Sequence, residues 1–162
     1  SIDCFIAQFF RQTGNDALVE EYGLQSFTLN VLDKRQTLIE KLVSLIRFSL
    51  SDNYTYDVAA KIRHFYDLHY LLQDTECDKY LQSEQFKTDF NTLLAHDRET
   101  FDKPEGWNTM EIGQSPLLSD FPALWSNLKD TYLKELPAIA FSTIPSEDAV
   151  AKSFEEIINH IL

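Results

Sequence analysis

With 162 residues, the chain is long enough for one folded domain with a buried core, and its 44% hydrophobic and 13% aromatic content is typical of a globular protein, not a disordered one. Its net charge of −12 argues against non-specific nucleic-acid binding over the whole surface, because attraction to phosphates needs basic patches. The sequence has no run near the roughly 20 apolar residues of a membrane span and no signal peptide, so we expect a cytoplasmic protein without a membrane partner.

The first predicted elements are two short helices and a strand. Apolar residues at helical spacing predict a helix over residues 2–11, and a second helix ends at Gly23, a typical C-cap residue. The alternating, β-branched segment that follows predicts a strand at about 26–32. A lone strand leaves its backbone hydrogen bonds unmade, so we expect its partner strands to lie outside these residues. Together with the initial Ser1, this favours the C-terminal portion of a longer protein.

Two helices predicted at about 37–50 and 57–73 carry polar residues that core packing does not explain. On the first, Thr37 and Glu40 have the spacing of a capping box, which predicts that the helix begins at Thr37. Lys41 then lies near the helix start, where the helix dipole disfavours a cation. A lysine is better tolerated there if it holds an anion.

The second of these helices places Arg63, His64 and Asp67 close together, because residues three and four apart share a helix face. Arg63 and Asp67 can form an intrahelical ion pair worth at most about 0.5 kcal/mol, with Lys41 extending to water. The spacing alone leaves this structural role and a functional role both open. Between Asp33 and His64, six basic and four acidic residues give a local charge of +2, which modestly favours anion binding there.

The rest of the chain is also predicted to be helical. Ser83 and Ser146 are predicted N-caps, and the helix that precedes Pro137 is expected to end there. We therefore predict a mainly α protein, with a single helical region over residues 1–162 and a helical bundle at 83–162. One or two short strands are also expected, as the part of an α/β core that falls within this chain, with the other strands of that core outside it.

The motifs of common enzyme classes are absent from the sequence. It has no glycine-rich phosphate loop, no His-Glu-x-x-His and no Gly-x-Ser-x-Gly. Only His64 and His69 share a predicted helix, and their spacing puts them on different faces. The two cysteines, Cys4 and Cys77, have no paired spacing and are expected to be reduced thiols. We therefore predict no metal site within these residues.

The runs TLNVLDKRQTLIEKLVSLIR and RHFYDLHYLL resemble the central block of the AbiEii-type nucleotidyltransferase toxins, a family of type IV toxin-antitoxin and abortive-infection systems. In that family a strand leads into a helix opening with Arg-Thr-x-x-Glu-Lys, and an Arg-His-x-Tyr-Asp-Leu helix follows. Here Arg35-Gln36-Thr37 is one residue looser than the usual Arg-Thr pair. The family's Gly-Ser loop with its Asp-x-Asp/Glu metal motif is not found, so the resemblance implies the C-terminal portion of such an enzyme.

The resemblance also implies roles for individual residues. Lys41 and Asp67 match the family's phosphate-contacting lysine and its later acidic position, which makes them the candidate catalytic residues. Lys41 and Arg63 are the candidate nucleotide- and phosphate-binding residues. Three further residues support the motifs: Thr37, Glu40 and His64.

For the intact protein, the resemblance implies a bacterial toxin that transfers a nucleotide from a nucleoside triphosphate, with Mg²⁺, to an acceptor. Transfer RNA is the candidate acceptor, and a cognate antitoxin is a candidate partner. These 162 residues alone are expected to be inactive and to bind neither Mg²⁺ nor the nucleotide.

A different class of protein also fits the residues: a helical protein-binding or regulatory module without chemistry. The two hypotheses differ in geometry. A transferase site predicts that Lys41 and Asp67 face one open cleft beside the strand, whereas a binding module predicts that Asp67 pairs with Arg63 and that Lys41 points away.

Overall fold

A computed structural model describes residues 3–28, 31–140 and 143–161. The chain divides into two compact units, Ser1–Leu32 and Asp33–Leu162. Over the described residues the regular structure is helical, which confirms the mainly α class predicted from the sequence. The helices are α1 (Phe5–Gln12), α2 (Asp16–Glu21), α3 (Lys34–Ser49), α4 (Tyr54–Ala59), α5 (Ile62–Leu72), α6 (Thr75–Leu81), α7 (Glu84–Thr100), α8 (Pro116–Ser119), α9 (Phe121–Ile139) and α10 (Glu147–Ile161).

The first unit contains α1 and α2, and each of these helices is followed by a glycine in the left-handed region. The φ angles are 73° at Gly14 and 63° at Gly23. After α2, the backbone N–H of Gly23 donates to the carbonyl of Glu20, and that of Leu24 donates to the carbonyl of Val19. These are the two hydrogen bonds of a Schellman motif, so the predicted C-cap at Gly23 is confirmed.

Only part of the predicted strand at about 26–32 falls on described residues, since Leu29 and Asn30 lie outside them. In the described remainder, Phe27 is a single bridge position and no strand element forms. Alternating apolar and polar residues suit a strand, but a strand also needs a paired neighbour, which the pattern itself does not supply.

The second unit begins with α3, and the prediction that this helix starts at Thr37 is wrong. Asp33 is the N-cap residue, because its side chain accepts a hydrogen bond from the backbone N–H of Arg35 at 2.8 Å. The Thr37 hydroxyl donates to the carbonyl of Asp33, and Glu40 accepts from the side chain of Gln36. Aspartate is at least as good an N-cap as threonine, so the helix gains one turn at its start.

The helix predicted at 57–73 is two helices, α4 and α5. The chain turns at Ala60 and Lys61, where the backbone N–H of Lys61 donates to the carbonyl of Val58, three residues earlier. No glycine or proline marks this turn, so the local sequence does not predict it. Tertiary packing separates the two helices: α4 packs against α3 and α9, whereas α5 also packs against α6 and α10.

The predicted N-caps Ser83 and Ser146 are confirmed, since each hydroxyl accepts a hydrogen bond from the backbone N–H three residues later. The prediction that the helix before Pro137 ends there is wrong, because α9 continues to Ile139. Proline removes one hydrogen bond, to the carbonyl of Leu133. Leu133 is 55% exposed, so the disturbed turn lies on the solvent side of α9, where the loss of one hydrogen bond is tolerated and the helix can continue.

At the centre of the second unit, α3 packs against α4, α5, α6, α7 and α8. On the other side, α5 packs against α9 and α10 through an aromatic cluster. The Phe65 ring centroid lies 5.2 Å from that of Trp125 and 4.8 Å from that of Phe154. Because Phe65 and Asp67 point to opposite sides of α5, this packing fixes the face that carries Asp67. No helix among the described residues is both long and apolar enough to cross a membrane.

Candidate functional site

An open pocket of about 400 Å³ lies between α3 and α5, where the two sequence motifs meet. Thr37 and Lys41 line it from α3, and four residues line it from α5: Tyr66, Asp67, Tyr70 and Leu71. A volume of this size is within the range of small-molecule sites. The pocket is therefore the candidate functional site of the second unit.

Lys41 and Asp67 form an ion pair in this pocket, with Lys41 Nζ 2.7 Å from Asp67 Oδ2. Their side chains are only 21% and 20% exposed, so water screens the pair less than it would on the open surface. The prediction that Lys41 lies near a helix start is wrong, because α3 begins at Lys34, seven residues earlier. The partner of Lys41 is thus a carboxylate of α5, and the dipole of α3 is not the reason for its position.

Arg63 lies beside the same ion pair, on the solvent side. Its Nε is 3.8 Å from Asp67 Oδ2, and its side chain is 59% exposed. Two cations therefore approach one carboxylate oxygen, the nearer being Lys41. The group of two cations and one carboxylate therefore carries one positive charge in excess, in a chain whose net charge is −12.

His64 also experiences this positive charge. Its pKa is lowered from 6.5 to about 4, first by burial and then by the charges of Lys41, Lys61 and Arg63, against the opposing effect of Asp67. The Nδ1 atom of His64 is buried and has no hydrogen-bond partner among the described residues. His64 is therefore neutral at pH 7, and it lies beside the pocket without lining it.

The other two motif-supporting residues, Thr37 and Glu40, lie on different surfaces of the protein. Thr37 lines the pocket, but its hydroxyl donates to the carbonyl of Asp33 at 3.2 Å. Glu40 lies elsewhere on α3, toward Asp89 and His96 of α7. Glu40 therefore belongs to a different surface from Lys41 and Asp67.

The sequence analysis did not identify two aromatic residues of the pocket, Tyr66 and Tyr70. Their ring centroids are 4.9 Å apart, with an angle of 66° between the rings. The Tyr70 hydroxyl donates to the carbonyl of Thr143 at 2.7 Å, which restrains the ring. Both tyrosines flank Asp67 on α5, and their four-residue spacing was the signal that could have found them.

The described residues do not fit a magnesium site, although the family resemblance implies one for the intact enzyme. Over the part of the chain that the structure describes, no group of three or more His, Cys, Asp or Glu side chains could hold a metal ion. Asp67 is the carboxylate of the pocket, and a lysine ammonium contacts it. Two segments have Asp-x-Glu spacing, Asp97-Arg98-Glu99 within α7 and Asp74-Thr75-Glu76 at the start of α6. Residues two apart on a helix point to different sides, and Asp74 and Glu76 both contact the ammonium group of Lys34.

Comparison with known proteins identifies the class of this chain. The family model for the nucleotidyl transferase AbiEii toxin of type IV toxin-antitoxin systems matches residues 7–159. The class is thus that of nucleotidyl transferase toxins. Because the match covers nearly the whole sequence, the chain belongs to the AbiEii family, as the two motifs predicted. No curated protein and no solved structure matches the chain. Membership of a toxin-antitoxin family implies a cognate antitoxin as a partner.

Proposed function

We propose that the intact protein is a toxin that transfers a nucleotide from a nucleoside triphosphate to an acceptor, with tRNA as the expected acceptor. One observation carries this proposal: Lys41 and Asp67, from two separate motif helices, meet in one open pocket. The match of the AbiEii family model to residues 7–159 supports the type of reaction.

In this proposal, the ion pair opens when the nucleotide binds. A triphosphate carries more negative charge than one carboxylate, so it competes with Asp67 for the ammonium group of Lys41. Lys41 then holds phosphate oxygens as a point charge, and the exposed Arg63 contacts phosphate at the rim.

The release of Lys41 also frees the carboxylate of Asp67 to act as a general base. The acceptor hydroxyl oxygen attacks the α-phosphorus, its proton passes to Asp67, and the bond between the α-phosphorus and the pyrophosphate oxygen breaks. Nucleotidyl transfer depends mainly on positioning and electrostatic stabilisation, and two oppositely charged side chains on rigid helices supply both.

In this proposal, the metal is held by residues outside this pocket. Mg²⁺ and the nucleoside triphosphate are expected for the intact enzyme, with the metal held by carboxylates other than Asp67. Since the Gly-Ser loop with its Asp-x-Asp/Glu motif is not found in these 162 residues, we expect this chain alone to be inactive. The expected setting is the bacterial cytoplasm.

The test is nucleotide transfer from labelled nucleoside triphosphates to total tRNA with Mg²⁺. It compares the full-length gene product, its Lys41→Ala and Asp67→Asn variants, and this chain alone. Lys34→Ala is the matched control, because Lys34 is also on α3 and makes an ion pair of 2.8 Å with Asp74, away from the pocket.

The proposal expects transfer by the full-length protein and by Lys34→Ala, and a loss of at least about a hundredfold in Lys41→Ala and Asp67→Asn, which is the scale of removing a transition-state charge contact. Circular dichroism establishes that each variant is folded. If folded Lys41→Ala and Asp67→Asn retain full activity, the pair is structural and the site is wrong. If no form transfers a nucleotide, the helical binding or regulatory module becomes the better account.

A further inference from the structure

The pocket has an aromatic side that phosphate binding does not require. Phosphate oxygens need cations and N–H donors, which Lys41 and Arg63 can supply. Apart from Thr37, Lys41 and Asp67, the lining consists of Tyr66, Tyr70 and Leu71. A pocket with a cation from α3 and aromatic rings from α5 fits a ligand that is an anion at one end and flat and apolar at the other.

Tyr70 is the best placed of these side chains to receive such a ligand. It is 37% exposed, so part of its ring is open to the pocket. The ring is held on three sides: by Tyr66 at 4.9 Å, by His69 at 5.4 Å between ring centroids, and by the hydrogen bond of its hydroxyl to Thr143. A restrained ring loses little conformational freedom when a ligand stacks on it.

On these observations we propose that Tyr70, supported by Tyr66, is the surface on which the base of the nucleoside triphosphate stacks. This inference rests on the proposed function and names how the same pocket holds its substrate. Stacking on an aromatic ring does not depend on the identity of the base, because every base has a π face. The pocket therefore binds all four nucleoside triphosphates, and selection among them comes from other contacts.

Two ligands separate base stacking from phosphate binding: a nucleoside triphosphate and inorganic tripolyphosphate, which has the phosphates without a base. Binding of each is measured by isothermal titration calorimetry to the full-length protein. Tyr70→Leu removes the ring, whereas Tyr70→Phe keeps it and removes only the hydroxyl. Tyr54→Leu is the matched control, since Tyr54 is 38% exposed and lies on α4, outside this pocket.

We expect Tyr70→Leu to weaken binding of all four nucleoside triphosphates by roughly tenfold or more, which is the scale of losing one stacked base. Its affinity for tripolyphosphate stays within about twofold of wild type, which also shows that the pocket is still folded. Tyr54→Leu binds nucleotides as wild type does, and Tyr70→Phe binds them more tightly than Tyr70→Leu, because it keeps the ring and loses only one of its three restraints. Lys41→Met weakens both ligands.

Three results would overturn the inference. Tyr70→Leu could bind nucleotides as wild type does, it could lose nucleotides and tripolyphosphate equally, or the wild-type protein could bind tripolyphosphate as tightly as nucleotides. Transfer activity, measured separately, distinguishes the two proposals. If Lys41→Ala abolishes transfer while Tyr70→Leu binds nucleotides normally, the stacking surface is wrong and the proposed function stands. If the wild-type protein neither binds nor transfers nucleotides, both proposals fall.

Discussion

Lys41 Nζ lies 2.7 Å from Asp67 Oδ2, so one ion pair joins α3 to α5 at the pocket. Both helices also contribute buried residues to the core of the second unit, which holds their backbones in place. This contact is compatible with a structural role and with a catalytic one. An ion pair can hold two helices together, and its lysine can also leave the carboxylate to bind a ligand. Measurements that separate stability from binding therefore decide its role.

The Lys41–Asp67 pair should contribute measurably to stability. In a double-mutant cycle with Lys41→Met and Asp67→Asn, we expect a coupling of about 1 to 2 kcal/mol in the free energy of unfolding, because the pair is partly buried. The control cycle uses Lys34 and Glu76, which are 2.6 Å apart but 38% and 73% exposed. That exposed pair should couple clearly less than Lys41 and Asp67 do, because solvent screens it. Urea denaturation measures both, and equal couplings would contradict the prediction.

His64 should make the protein less stable in acid. Its pKa is lowered from 6.5 to about 4 in the folded state, so between these values the unfolded chain binds more protons. The contribution of neutral His64 is complete above pH 6.5 and is lost as the pH falls toward 4. We expect the wild-type protein to lose more stability over this range than His64→Asn does. Denaturation at a series of pH values measures the difference, which should be constant from pH 7 to 8.

Arg47 should be important for the packing of α3 against α7. Its guanidinium carbon is 4.2 Å from the Phe101 ring centroid and 5.8 Å from that of Trp107, and Nη1 is 3.5 Å from Asp97 Oδ2. Arg47 and Asp97 are each 14% exposed, so Arg47→Met leaves a largely buried carboxylate whose remaining ionisable contact is His96, at 3.5 Å. We expect a loss of about 2 to 3 kcal/mol in the free energy of unfolding.

The substitution Arg47→Lys should recover only part of this loss, because an ammonium group does not stack on rings as a planar guanidinium does. The exposed Lys87→Met is the control, and it should change stability by less than about 0.5 kcal/mol. Thermal and urea denaturation provide the measurement. A loss in Arg47→Met no larger than in Lys87→Met would show that the cluster contributes little.

Ser49 and Ser115 should behave as a coupled pair. Both are buried, and their hydroxyl groups share a hydrogen bond between α3 and the start of α8. Ser49 donates to the carbonyl of Ile46, so the proton between the two serines comes from Ser115, whose Oγ accepts from the N–H of Leu117. We expect Ser115→Ala to cost about 1 to 2 kcal/mol, since it removes an N-cap and a buried donor.

In the double variant Ser49→Ala, Ser115→Ala, the cost should be smaller than the sum of the two single costs, because no hydroxyl is left without a partner. Urea denaturation of the four proteins completes this cycle. Additive costs would show that the two serines act independently.

Several features of the fold could be predicted because their causes are local. The caps at Gly23, Ser83 and Ser146 depend on residues within one turn, and the structure has all three. Prediction from the local sequence failed where two residues could each cap the same helix and where no residue marked a turn. Asp33, and not Thr37, is the N-cap of α3, and no glycine or proline marks the turn at Ala60.

The sequence by itself determined the helical class, the family and the two motifs that carry Lys41 and Asp67, because periodicity and motif spacing are properties of consecutive residues. Only the tertiary structure decided that these two residues touch, since they are 26 positions apart and on different helices. It also brought Tyr70 to the same pocket and placed Glu40 elsewhere. The physical reason is that the angle between α3 and α5 is set by the core that both helices bury, which no local pattern encodes.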